Sequence, residues 1–367
     1  MGRGNRILFV LVAAVVLGTL GLGVRQCSTS GSMLPSARRA RASVAQILFL
    51  PGRVLIRTES SDLVASEDGG RSWRALSNRP ETLSIANGGE IWGAHGWPGH
   101  HEGPSARLSH SADRGETWSQ VEFELPEDRG AALLARLPAA FVQEPRDPPR
   151  LLMSDLQLVR PELATNSSTW KRVGVPITGA ERPGEGTVNL RVYGRMYRGS
   201  IYVASALAIY FSGDEGATWA RTSVPSSVEA QIRCREFSCY ALLADELMTT
   251  SVGANDWRSA GTLALDAVAP VLTADHQHGT LERFSVTAMS PGDSGVYVAG
   301  IVDAGKRHAW GAVLLVGPRG ALTMVGHGVP EGLWVLEQDP DGTLWAGGQG
   351  AYRLQGGEWI SAWSASD

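Results

Sequence analysis

From residue 46 onward, short apolar or alternating runs are broken at close intervals by Gly, Pro, Ser and Asp. The first unit reads QILFL, RVLIR, DLVAS and SWRAL, and the last reads WVLEQ, TLWAG, AYRLQ and EWISA. Runs of this length, rich in β-branched and aromatic residues and bounded by turn formers, predict short strands. No long helical period follows residue 45. Four strands per unit is therefore the expected local organisation.

The units repeat. SGDEGATW at 212–219 follows the apolar run IYVASALAIYFS and precedes the alternating WARTSV. In such a turn Asp accepts hydrogen bonds from backbone amides one or two residues on, Gly supplies a positive φ, and Trp begins the next strand with a ring to bury. SEDGGRSW at 66–73 and SADRGETW at 111–118 carry the same residues at the same offsets: Ser66, Asp68, Gly70 and Trp73; Ser111, Asp113, Gly115 and Trp118; Ser212, Asp214, Gly216 and Trp219. Degenerate copies end at Trp170, Trp257 and Trp359. Trp73, Trp118, Trp170, Trp219 and Trp257 are 45, 52, 49 and 38 residues apart, the period of a four-stranded repeat, and the 102 residues to Trp359 make two periods. The unit between them is expected at LLVGPRGALTMV, where Pro318, Arg319 and Gly320 turn the chain without an octet. That gives seven units.

The octets resemble the Asp-box (BNR) repeat, which joins the third and fourth strands of β-propeller blades. The resemblance implies an all-β chain: one β-propeller of seven four-stranded blades over 46–365, in which radial stacking covers both faces of each small sheet. The sialidases of this family clamp the sugar carboxylate with three arginines, the first in an Arg-Ile-Pro motif. Here Arg57 is followed by Thr58, and Arg-Ile-Pro occurs nowhere. NLRVYGRMYRG places Arg191, Tyr193, Arg195 and Tyr197 at alternate positions of an expected innermost strand, where they face the central channel either as ordinary channel residues or as remnants of a catalytic set. A Tyr without a partner carboxylate is not an activated nucleophile. The chain also resembles the Asp-box propellers that help build photosynthetic complexes. The function expected is thus a non-catalytic scaffold binding a protein or glycan, with a divergent sialidase-like glycoside hydrolase as the alternative. No catalytic residue and no cofactor is assigned.

Composition leaves this picture intact. A formal net charge of −4 indicates no polybasic surface for nucleic acid. The amino terminus stands apart: residues 7–24, ILFVLVAAVVLGTLGLGV, are 18 uncharged residues, long enough for a hydrophobic helix that anchors the chain in a membrane, with a cleaved signal peptide as the other reading. Residues 25–45 read as a flexible tether. CREFSC places Cys234 and Cys239 around a turn, where they form either a disulfide or two free thiols. Export, with the ring on the periplasmic or extracellular side, is the expectation.

Six of the eight histidines are expected on one face, that of the loops from second to third strand and from blade to blade: His95, His100 and His101 in 94–105, His276 and His278 in 275–283, and His308 in 303–308. Their spacing matches no metal motif, so no metal is expected; the face is a candidate for partner binding.

Overall fold

The computed structural model describes residues 43–364 apart from 78–79, 86–88, 96–106, 122–137, 143–149, 154–156, 162–169, 178–192, 198, 205–207, 224–230, 244, 275–280, 305–308, 327–328 and 330–331. The expected hydrophobic helix, the anchor span 7–24 and the tether up to residue 42 lie outside the described residues. Among those described, no helix is long and apolar enough to cross a membrane.

Seven four-stranded antiparallel sheets follow one another along the chain, each with its strands in sequence order. Blade one comprises Val44–Leu50 (β1), Arg53–Thr58 (β2), Leu63–Ser66 (β3) and Arg74–Ala75 (β4); blade two, Thr82–Ile85 (β5), Ile91–His95 (β6), Arg107–Ser111 (β7) and Ser119–Val121 (β8). Blade three is Pro138–Val142 (β9), Arg150–Met153 (β10), Leu158–Pro161 (β11) and Trp170–Val173 (β12); blade four, Tyr193–Tyr197 (β13), Ser200–Ala204 (β14), Ala208–Ser212 (β15) and Ala220–Ser223 (β16). Blade five is Gln231–Arg235 (β17), Ser238–Leu243 (β18), Glu246–Ser251 (β19) and Arg258–Thr262 (β20); blade six, Arg283–Gly292 (β21), Gly295–Asp303 (β22), Ala309–Val316 (β23) and Leu322–Met324 (β24); blade seven, Val335–Gln338 (β25), Leu344–Gly347 (β26), Gly350–Gln355 (β27) and Glu358–Ser364 (β28). The turn without an octet is Pro318–Gly320, between β23 and β24 as expected. β1 begins at Val44, inside the stretch expected as tether.

Strand register divides the ring into two faces. In blade one Leu50 pairs with Arg53 at one end of the β1–β2 hairpin and Val44 with Thr58 at the other. The turns from first to second and from third to fourth strand therefore share one face, here the box face. The turns from second to third strand and the links between blades share the other, the loop face.

One departure from expectation is α1, Leu265–Ala274, in the link between blades five and six. Leu265, Val268 and Leu272 recur at helical spacing and pack with Phe284 and Val302, and the Ala264 carbonyl accepts the first bonds of the helix from Ala267 and Val268. Pro270 within it and a length of ten residues weaken the sequence signal.

The core is divided among the seams. Each of seven apolar clusters joins two consecutive blades; Ile56 of blade one and Trp345 of blade seven share the one that closes the ring. That closure uses no shared strand. It rests on this cluster and on hydrogen bonds from Val44 N to Gly348 O (2.7 Å), Trp73 Nε1 to Ala362 O (2.6 Å) and Arg353 Nη1 to Gly69 O (2.9 Å).

Candidate functional site

The three octets have one geometry. The Ser hydroxyl at the end of the third strand donates to the Asp carboxylate at 2.8 Å and accepts from the Gly amide four residues on at 2.7 Å, in all three copies. The same carboxylate oxygen accepts from the amide of Ser72, Thr117 or Thr218 at 2.8 to 2.9 Å, and the other oxygen from that residue's hydroxyl at 2.5 to 2.6 Å. The sequence-based expectation of amides one or two residues on is thereby corrected: the carboxylate spans the whole turn and binds the residue before Trp. Donors crowded on one carboxylate favour its charged form. The Thr117 and Thr218 hydroxyls, foremost, hold Asp113 and Asp214 at about 2, and Ser72 holds Asp68 lower still.

In two of the three octets the glycine is required twice over, by its φ and by the close approach of the preceding blade. Gly70 has φ +87°, and a Cβ on it would lie 2.7 Å from the Trp345 ring of blade seven; Gly216 has φ +92° and a Cβ would lie 2.8 Å from Leu158 of blade three. Tryptophan completes the attachment. Its indole N–H donates to the preceding blade: Trp219 to Val175 O at 3.0 Å, and in the degenerate seventh copy Trp359 to Val325 O at 3.1 Å. Trp118 instead donates to Gly115 O at 2.9 Å while packing in the seam between blades one and two. These carboxylates thus hold turns on the box face.

That face also carries arginine clasps that the sequence reading missed. Arg53, at the start of β2 with its side chain 4% exposed, donates to Arg114 O at 2.7 Å and pairs with Glu67 of its own octet and, at 2.5 Å, with Glu116 in the octet of blade two. Arg74 pairs with the same two carboxylates. Glu67 is held below the usual carboxylate range chiefly by Arg53, and Glu116 chiefly by Arg74. Arg150, at the equivalent start of β10, lies 3.3 Å from Glu215 in the octet of blade four. The available signal was an arginine directly after a turn in PGRVLIR and DPPRLLM.

In the channel, arginines of β17 reach over blade six. Arg235 donates to Pro291 O at 3.2 Å and to Gln338 of blade seven, and pairs with Asp293 at 2.7 Å; Arg233 Nε lies 4.0 Å from Glu337. Near the loop face, Gln46 of β1 bonds both the amide and the carbonyl of Leu83 in blade two and accepts from Arg57 Nε at 3.1 Å. Burial lowers Arg57 to about 10, against the opposing pull of Glu59 and Glu81.

Of the residues singled out from the sequence, Tyr193 begins β13, the innermost strand of blade four, and Arg191 lies outside the described residues. His95 is corrected from loop to strand: it ends β6, paired with Arg107, and its Nε2 is 3.0 Å from Ser109 Oγ. His100, His101, His276, His278 and His308 lie outside the described residues. Cys234 and Cys239 pair directly across the β17–β18 hairpin and are joined as a disulfide. Among the described residues no group of three or more His, Cys, Asp or Glu could hold a metal ion.

The two faces differ in the lengths of their connections. On the loop face β6 ends at His95 and β7 starts at Arg107, β8 ends at Val121 and β9 starts at Pro138, β12 ends at Val173 and β13 starts at Tyr193, and α1 lies between Thr262 and Arg283. On the box face the longest link between described strands is the eight residues 162–169.

This architecture defines the class: a seven-bladed β-propeller with four-stranded blades. No protein-family model and no curated protein matches the sequence. Among solved structures, the chain is similar to a GH74 enzyme from Niastella koreensis (14% identity, TM-score 0.59, covering 88% of this chain and 54% of that one). It is similar to the GH74 xyloglucanase from Xanthomonas campestris (17%, 0.59, 89% and 55%) and to YCF48 from Cyanidioschyzon merolae (12%, 0.56, 84% and 94%). The chain thus spans about half the length of those GH74 enzymes and nearly the whole of that YCF48.

Proposed function

We propose that the protein is a non-catalytic β-propeller scaffold of the Asp-box type, exported or tethered to a membrane through residues 7–24, which binds a protein or glycan with its loop face. The observation that carries this reading is the asymmetry of the connections: every link longer than eight residues between described strands falls on one face of a ring whose seams are all packed. Long loops on a rigid scaffold are where binding is usually found. The Cys234–Cys239 pairing supports an oxidising compartment and hence export. The likeness to GH74 enzymes keeps hydrolysis as the second reading.

Purified full-length chain is therefore expected to release nothing from fluorogenic sialosides or from xyloglucan oligosaccharides. Turnover abolished by Tyr193→Phe would replace the scaffold by a hydrolase. Exchanging 96–106 for a short Gly-Ser turn should leave the melting midpoint in place and remove binding to whichever glycan or protein ligand an array identifies. A ligand bound equally well by the exchanged chain would refute the loop-face assignment.

A further inference from the structure

Four short backbone segments bond to one another in series where the ring closes on the loop face. The Trp334 amide donates to Gly347 O at 2.7 Å, the Val44 amide to Gly348 O at 2.7 Å, and the Glu59 amide to Ser43 O at 2.8 Å. The first two segments touch backbone to backbone: a Cβ on Gly348 would lie 2.4 Å from Gly332 O. Three of the four present an exposed side chain: Trp334, 48% exposed just ahead of β25, Gln349 in the β26–β27 turn, and Glu59 in the β2–β3 turn. The indole is held although it is exposed. Gly332, at φ +69°, lies against it, so that a Cβ there would be 3.4 Å from Cζ2 and 3.8 Å from Nε1, and the neighbouring Leu333 is buried in the seam between blades six and seven. Gln349 is the one residue of 347–350 with a side chain, so its amide is what that turn offers a ligand.

We propose that Trp334, Gln349 and Glu59 form a glycan-binding site, in which a neutral oligosaccharide lies across the closing seam with one pyranose ring on the indole and the hydroxyls beyond it on the amide and the carboxylate. This rests on the loop face as the binding face and chooses glycan over protein there, without using any of the long connections. A pyranose carries C–H bonds on one face and hydroxyls around its rim. The C–H face meets the negative face of an indole. The rim hydroxyls donate to a carboxylate, and both donate to and accept from an amide. Backbone segments bonded side by side lie about 4.8 Å apart, so three such steps set Trp334 roughly 14 Å from Glu59. That is the reach of a short oligosaccharide rather than of a single ring. A charged ligand fits less well. Arg57 donates to Thr58 O, one residue before Glu59, at 3.1 Å, and the Glu59 charge works against the effect of burial on it; the two charges offset each other, and the carboxylate of a sialoside would meet that of Glu59. A platform already fixed by its backbone loses little freedom on binding.

The test is isothermal titration of the full-length chain with neutral gluco-, manno-, galacto-, xylo- and N-acetylglucosamine pentasaccharides, with sialyllactose and a lysine-rich peptide alongside. At least one neutral sugar is expected to bind, with an affinity that changes by less than about twofold between about 0.05 and 0.5 M salt, while sialyllactose and the peptide do not bind. Trp334→Ala should weaken binding by about tenfold or more, and Trp334→Phe, which keeps a flat ring, by clearly less. Gln349→Ala and Glu59→Gln should each weaken it by about threefold. All four variants should melt within about 1 °C of wild type, as exposed substitutions do. Failure of every neutral sugar to bind, sugar binding unmoved by Trp334→Ala, or Trp334-dependent binding of the peptide in place of a sugar overturns the inference, and each leaves the scaffold reading standing. Trp334-dependent binding followed by cleavage of the pentasaccharide would keep the site and reject the non-catalytic scaffold.

Discussion

Trp345→Ala tests the division of the core into seams. Trp345 is 2% exposed and lies in the cluster that closes the ring, with Val44, Ile47, Val54 and Ile56 of blade one on the other side. The Phe49 ring meets it edge-on at 5.7 Å, and its Nε1 donates to Asp339 Oδ2 at 3.1 Å. Truncation removes the ring from a seam that no shared strand reinforces, and buried aromatic-to-Ala changes cost about 3–5 kcal/mol. At an unfolding entropy of about 2.1 cal/mol/K per residue over roughly 320 residues, the melting midpoint should fall by about 4–8 °C. Trp334→Ala, at an exposed indole just ahead of β25 and outside that cluster, is the control and should shift it by no more than about 1 °C. The assay is a thermal melt followed by far-ultraviolet circular dichroism or calorimetry. If Trp345→Ala melted within a degree of wild type, blades one and seven would not be holding the ring closed as described.

Asp113 and Asp214, held at about 2 against an ordinary aspartate value near 4, should contribute stability that is full above about pH 4 and lost as the pH falls through about 2. Asp113→Asn and Asp214→Asn chains should therefore differ most from wild type at neutral pH and converge with it toward pH 2 in acid melts; a constant difference would contradict the hydroxyl and amide assignments. Arg53→Ala should cost about 1–3 kcal/mol in denaturant titration, as expected for buried charge-assisted hydrogen bonds. Arg74→Ala, on the same carboxylates but half exposed, should cost clearly less, and the reverse order would dismiss Arg53 as the clasp. Alkylation of the unfolded, unreduced chain should tag one of its three cysteines, Cys27, and all three after reduction; three tags without reduction would show Cys234 and Cys239 free.

The blade count was legible because its markers are local: Ser, Asp, Gly and Trp fall within eight residues, and the hydrogen bonds of Ser, Asp and Gly close within the octet. The turn at Pro318–Gly320 could be placed without an octet because the spacing between tryptophans left room for one more blade. Residues whose partners lie far along the chain stayed hidden. Arg53 and Glu116 are 63 positions apart, and Arg235 and Gln338 are 103, with nothing in either neighbourhood to mark the other. The helix Leu265–Ala274 escaped because its apolar stripe is short and carries Pro270. The carboxylate reach was underestimated because one Asp was treated as an ordinary turn residue, whereas the hydroxyl before Trp recruits its second oxygen.

Closure without a shared strand makes the order of the blades a matter of where the chain happens to be cut. Val44 lies beside Gly348, Gly348 bonds to Gly350 O, and Gly350 pairs with Ser364, so the two ends of the ring sit a few backbone segments apart on one face. A short linker joining them, with new ends opened at the two-residue turn between Gln355 and Glu358, would move blade seven's last strand to the front of the chain. Such a circular permutant converts side-chain closure into strand-shared closure, and the ring should become harder to open.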